Sequence, residues 1–188
     1  MKKLLASVAF LTASAMAFAH PGHEGDASGF VHGFLHPISG LDHILAMLAV
    51  GLWAASFSGK ARWLIPASFV GVMSVGFLIG ANGGEIPMTE QGIAASVLVI
   101  GLAAAWAQRI PASIAAVVVG LFALFHGVAH GAEMHGNAGL YAIGFILSTA
   151  ALHAAGFFAG LLLNKNVWVN RIVGTAIGAA GLSMMLAG

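Results

Sequence analysis

Residues 111–133 read PASIAAVVVGLFALFHGVAHGAE. From Ala112 to Phe125 the stretch is almost wholly apolar, and with the next turn it is long enough for a ~30 Å hydrocarbon core. It then closes on His126, His130 and Glu133, at i, i+4 and i+7. On a helix of 3.6 residues per turn these fall within roughly a 60° arc. A charged group at the centre of a span costs about 2.5–3.5 kcal/mol on insertion scales, so ionisable groups at the end of one ask for a function. Two imidazoles and a carboxylate on one face are donors for a metal ion.

The rest of the chain agrees with a membrane setting. Its 188 residues are 60% hydrophobic and only 7% charged, against about 25% charged in a soluble domain. Mean hydropathy is +0.96. The formal charge of +1 gives no case for a nucleic-acid partner, and the lipid bilayer is the partner that composition implies. There is no cysteine, so any metal must be held by imidazole, carboxylate, carbonyl or thioether. Nine histidines in so apolar a chain stand out.

Working outward, the hydropathy predicts an all-α bundle of six transmembrane helices near 38–57, 63–81, 91–108, 111–131, 138–163 and 171–187. Residues 1–19 read as a cleaved signal peptide: Lys2-Lys3, an apolar run from Leu4 to about Met16, and Ala17-Phe18-Ala19 as the cleavage site. The mature part, 20–188, is then a single six-span domain with a short His-rich tail at 20–35, where His20 and His23 with Glu24 and Asp26 can collect a cation. Lys60, Arg62, Arg109, Lys165 and Arg171 lie in the first, third and fifth connections, while Glu85, Glu90 and Glu133 lie in or beside the second and fourth. The positive-inside rule places the chain in a bacterial inner membrane with both mature termini periplasmic. Small-xxx-small pairs at Gly76/Gly80, Gly127/Gly131, Gly156/Gly160 and Gly174/Gly178 serve bundle packing or a homo-oligomer, and sequence does not separate the two. Trp53, Trp63, Trp106 and Trp168 read as interfacial anchors.

The first span opens with His36-Pro37-Ile38-Ser39-Gly40-Leu41-Asp42-His43. Pro37 suits the first helical position. A helix reaching back that far would set His36 and His43 on one face, ~10 Å apart along the axis. Asp42 can ligate, or can orient an imidazole from behind. Met47 is expected in the core. In the predicted orientation His36, Asp42 and His43 arrive at the same outer membrane depth as His126, His130 and Glu133. Imidazole with carboxylate suits nickel, cobalt, zinc or copper(II), and affinity alone does not choose among them.

These two motifs, His36-x5-Asp42-His43 and Phe125-His126-Gly-x-Ala-His130-Gly-x-Glu133, resemble the paired signatures of the HupE/UreJ family of nickel/cobalt permeases. The resemblance covers the whole chain. It implies secondary uptake of Ni²⁺, with Co²⁺ as second cargo, supplying hydrogenase or urease maturation. It also implies that His36, Asp42, His43, His126, His130 and Glu133 are the metal residues, with no prosthetic group. His135, Glu90 and His153 are accessory candidates: an entry ligand, an acidic entrance and a deeper relay.

There is no G-x-x-x-x-G-K-[ST] loop, which argues against ATP use by this chain. A different class, an intramembrane zinc hydrolase, would use three of the histidines with Asp42 or Glu133 as general base and Ser39 or Ser148 beside them. No compact HExxH-type signature supports it. A bis-histidine haem bundle is a third reading and would need facing histidines around a cofactor-sized gap.

Overall fold

The computed structural model describes residues 27–106 and 110–187. The expected signal peptide, His20, His23 and Arg109 lie outside the described residues. Among those described there are seven helices and no strand: α1 Ala27–Ser39, α2 Leu41–Ala54, α3 Ala61–Ala81, α4 Thr89–Trp106, α5 Ala112–Ala132, α6 Ala138–Leu163 and α7 Val167–Ala187. Helices α3 to α7 are each long and apolar enough to cross a membrane. Exposed Leu78, Val117, Leu121, Phe158 and Ile172 give the bundle an apolar exterior suited to lipid. The chain is a multi-pass membrane protein.

The first predicted span is the one the structure rewrites. α1 and α2 meet at Gly40 with an 80° bend, so the pair makes a sixth crossing only if it is counted as one broken span. Pro37 is not at a helix start: it lies inside α1, two residues before its end. Ser39 Oγ donates to the His36 carbonyl at 2.7 Å in that last turn. His36 and His43 therefore sit on different helices. Of the segment expected as a tail at 20–35, the described part from Ala27 onward is helical and packs on α6.

The helices pair closely through glycine. α3 lies on α5, α4 on α7, and both α1 and α2 on α6. At the first contact Gly76 and Gly80 face Gly127 and Gly131: a Cβ on Gly76 would sit 2.6 Å from the Leu124 carbonyl oxygen, and one on Gly131 2.6 Å from the Ala81 nitrogen. Gly33 meets Gly144, Gly51 meets Gly156, and Gly101 meets Gly174 and Gly178 in the same way. In lipid, where apolar surface gains little from leaving one apolar medium for another, such backbone approach is what association rests on. The predicted glycine pairs are thus used within the chain.

Connections are short. Asn137 caps α6 by accepting from Leu140 N–H at 3.0 Å. Asn166 accepts from Trp168 N–H at 3.0 Å to open α7. Trp63, Trp106 and Trp168 are exposed, and Arg171 lies 4.4 Å from the Trp106 ring centre. Trp53, expected as an anchor, is instead core at 1% exposure, because its helix runs through the middle of the bundle between α4 and α6. Met47 is fully buried as expected.

Candidate metal centre

Three helix ends build one cluster. α1 brings His36 in its last turn, α2 brings Asp42 and His43 in its first, and α5 brings His126 and His130 in its last two turns, followed by Glu133 at its C-cap. The bend at Gly40 is what lets two adjacent helices face the same point. Ring centroids lie 4.8 Å apart for His36–His130, 4.8 Å for His43–His126, 4.9 Å for His43–His130 and 6.2 Å for His36–His43. His126 and His130 are fully buried.

Two carboxylates flank the rings. Asp42 Oδ1 accepts from the His43 backbone N–H at 2.7 Å and from Nδ1 of the same residue at 2.8 Å. A carboxylate can only accept, so His43 carries a hydrogen on Nδ1, and in the neutral ring Nε2 is the nitrogen with the lone pair. Asp42 sits in the first turn of α2, where the helix dipole favours negative charge. Gly40 keeps the pair free: a Cβ there would lie 2.6 Å from Asp42 Oδ1 and 3.0 Å from His43 Nδ1. Glu133 is the electrostatic opposite, an acid at a helix C-terminus, where the dipole disfavours it. Its partner comes from another helix: His36 Nε2 stands 3.0 Å from Glu133 Oε2.

The nitrogens that remain are the chemistry of the site. His43 Nε2, His126 Nδ1 and both ring nitrogens of His130 are buried without a hydrogen-bond partner. Each such group forfeits about 1–3 kcal/mol of desolvation. In a neutral His130 one of the two nitrogens carries the hydrogen, so each of the three rings has one lone pair that a cation could satisfy. The rings meet edge to face rather than nitrogen to nitrogen, and among the described residues no three His, Asp or Glu side chains are gathered as a metal-holding set.

Around the cluster the bundle opens in three small cavities. One of about 270 Å³ is lined by His32, His36, Glu133, His135 and Tyr141. A second, about 220 Å³, includes Glu85, Glu90 and Glu133. A third, about 310 Å³, includes Asp42, Glu90, Met184 and Met185. His135 and Glu90 therefore lie at the mouth with the core set, and Glu85 of the second connection joins them. His153 does not. It is buried on α6 with both ring nitrogens unpartnered, its ring 5.0 Å from Phe69, whose other neighbour is His126 at 5.4 Å.

Several residues of the site were missed from sequence. Ser96 on α4 lies 2.9 Å from His126 Nε2. Phe69 separates His126 from His153, and Phe145 stacks on His130 at 5.2 Å. Tyr141, 6.1 Å from His36, had one signal: it is the only tyrosine in the chain. Ser39, weighed as part of a hydrolase, is engaged with the His36 carbonyl, and Ser148 is buried with no partner for its hydroxyl.

Fold and site together define a polytopic helical membrane protein with an imidazole–carboxylate cluster at one end of its bundle. The chain belongs to the HupE/UreJ family: the family model described as HupE / UreJ protein matches residues 8–184. It is similar to Protein HupE of Rhizobium leguminosarum bv. viciae, at 43% identity over 188 residues, covering 98% of this chain and 97% of that one. No solved structure matches it.

Proposed function

We propose that the protein is a secondary permease that imports Ni²⁺, with Co²⁺ as alternative cargo, from the periplasm across the inner membrane, feeding hydrogenase or urease maturation. The observation that carries this reading is the set of unpartnered lone pairs on His43, His126 and His130, buried between two carboxylates at a helix-bundle mouth. Family membership and the resemblance to a HupE protein support it. Borderline divalent ions of the nickel and cobalt kind favour imidazole over the all-oxygen shells of magnesium or calcium.

In this mechanism Glu90, Glu133 and His135 raise the local cation concentration at the mouth, helped by His20 and His23 of the tail. Asp42, His36, His43, His126 and His130 then replace the ion's water. Asp42 holds His43 with Nε2 bare, and Glu133 holds His36 in turn. Release proceeds inward past Phe69 toward His153. With both termini periplasmic and the basic connections cytoplasmic, the membrane potential drives a dication inward by about 2.3 kcal/mol per charge per 100 mV. Sites on such a path must bind moderately, since a tight site would trap the ion.

The test is entry of radioactive nickel into proteoliposomes under an inside-negative potential. Wild type is expected to accumulate the ion, and Asp42→Asn and His130→Ala to lose that accumulation. A wild-type protein that passes no nickel, cobalt, zinc or copper overturns the permease reading.

A further inference from the structure

Ser96 lies on α4 and, like His126, is fully buried. Its Oγ stands 2.6 Å from the Ile93 carbonyl oxygen and 2.9 Å from His126 Nε2. A hydroxyl has one hydrogen and two lone pairs, and a carbonyl can only accept. Two oxygens 2.6 Å apart need the hydrogen between them, so the hydroxyl donates to Ile93. Toward the imidazole Ser96 then offers only a lone pair, and His126 Nε2 must carry the hydrogen and donate it. In a neutral ring the other nitrogen is left bare, and His126 Nδ1 is indeed buried without a partner. His43 is set the opposite way by Asp42, with Nδ1 hydrogen-bearing and Nε2 bare.

We propose that Ser96 is a positioning residue that holds His126 in its Nε2–H form and so makes Nδ1 the atom this ring offers to the ion. The part concerning the ion rests on the permease reading; the part concerning the ring does not. Rings of His43 and His126 lie 4.8 Å apart at 86° and would then bind through unlike nitrogens. Nδ1 adjoins the ring carbon that joins the side chain, so an ion on His126 sits close to the α5 backbone. Nε2 of His43 reaches out a full ring width from α2. The pocket is thereby asymmetric, in a way that neither histidine motif encodes.

The experiment is ¹⁵N solid-state NMR of histidine-labelled full-length protein in lipid bilayers without metal, with His126→Gln to assign the ring, followed by nickel titration. Wild type is expected to show a hydrogen-bearing Nε2 and a bare Nδ1 at His126. Ser96→Ala is expected to mix the two forms and weaken nickel binding about 10-fold, the low end for loss of a group orienting a metal-ligating imidazole. Ser96→Thr, which keeps the hydroxyl, should restore both. A wild-type ring with the hydrogen on Nδ1 overturns the proposal whatever the variants do. So does a Ser96→Ala protein with unchanged ring signals and unchanged affinity. Should wild type bind no nickel while the ring pattern holds, the permease reading falls and the assignment of His126 stands.

Discussion

At the mouth of the bundle His36, His43, His126 and His130 share ring contacts, with Asp42 and Glu133 hydrogen-bonded to two of them. One aromatic ring deeper, His153 is also buried, with no carboxylate beside it among the described residues: Phe69 covers it, and it borders an apolar cavity of about 520 Å³ lined by residues such as Trp63, Pro66 and Phe157. Both regions hold imidazole nitrogens without hydrogen-bond partners. Only the first has several bare nitrogens close together, with negative charge to balance a dication. In the proposed permease the single buried histidine is a place for an ion to pause, and the cluster with its carboxylates the place for it to lose water.

The largest expected effect separates these regions at once. His130→Ala removes two buried nitrogens from the centre of the cluster and should lower nickel uptake by more than the roughly 10–100-fold that outer-shell partners command. An uptake rate within a few-fold of wild type would place the ion elsewhere. At the deeper region His153→Leu should slow nickel passage several-fold while leaving thermal stability equal or higher, because replacing an unsatisfied buried polar group by an apolar one of similar shape is nearly neutral or stabilising. Unchanged uptake with raised stability would remove His153 from the path and leave it as core.

Gly40→Ala crowds the bend without removing any ligand side chain. The added carbon meets Asp42 Oδ1 and His43 Nδ1, so nickel affinity should fall about 10-fold as the orienting pair is disturbed. Gly71→Ala, whose carbon would meet nothing within 4 Å, is the matched control and should gain up to about 1 kcal/mol of helix stability. Equal nickel affinity in the two variants would dissociate the bend from the site. Nickel itself should stabilise the wild-type protein by about 2.7 kcal/mol at a hundred times its Kd, read as a thermal shift that His130→Ala lacks. Smallest is the response to acid: protons compete with the ion for imidazole nitrogen, so uptake should weaken as the pH falls, and a profile that stays flat into the acid range would argue against imidazole ligation.

Much of this was legible in the residues. The run before Phe125 and the i, i+4, i+7 placement of His126, His130 and Glu133 required an apolar helix ending in donors on one face, and α5 is that helix. The first motif was legible as chemistry but not as geometry. A helix begun at Pro37 would have put His36 ~10 Å from His43 along one axis. Instead the chain turns by 80° at Gly40 and the two rings come within 6.2 Å. Pro37 occupies an interior position of α1, and no local pattern chose between that and a helix start, because proline's fixed φ suits both a helix's first turn and the end of one whose next residues leave it. Trp53 was misread for a related reason: position along a span sets depth, but which side faces lipid is set by the helices packed around it.

The composition alone settled that the chain lives among lipids, since so few charges and so many apolar residues leave no other solvent for its helices. Spacing alone settled that histidines and acids recur at helical intervals. What it could not settle is which ring nitrogen is bare, which acid answers which imidazole, and that Ser96 and Phe69 belong to the same site. Apart from the Asp42–His43 pair, these depend on hydrogen bonds and ring contacts between helices distant in sequence, and such contacts exist only once glycine-to-glycine packing has fixed how closely the helices approach.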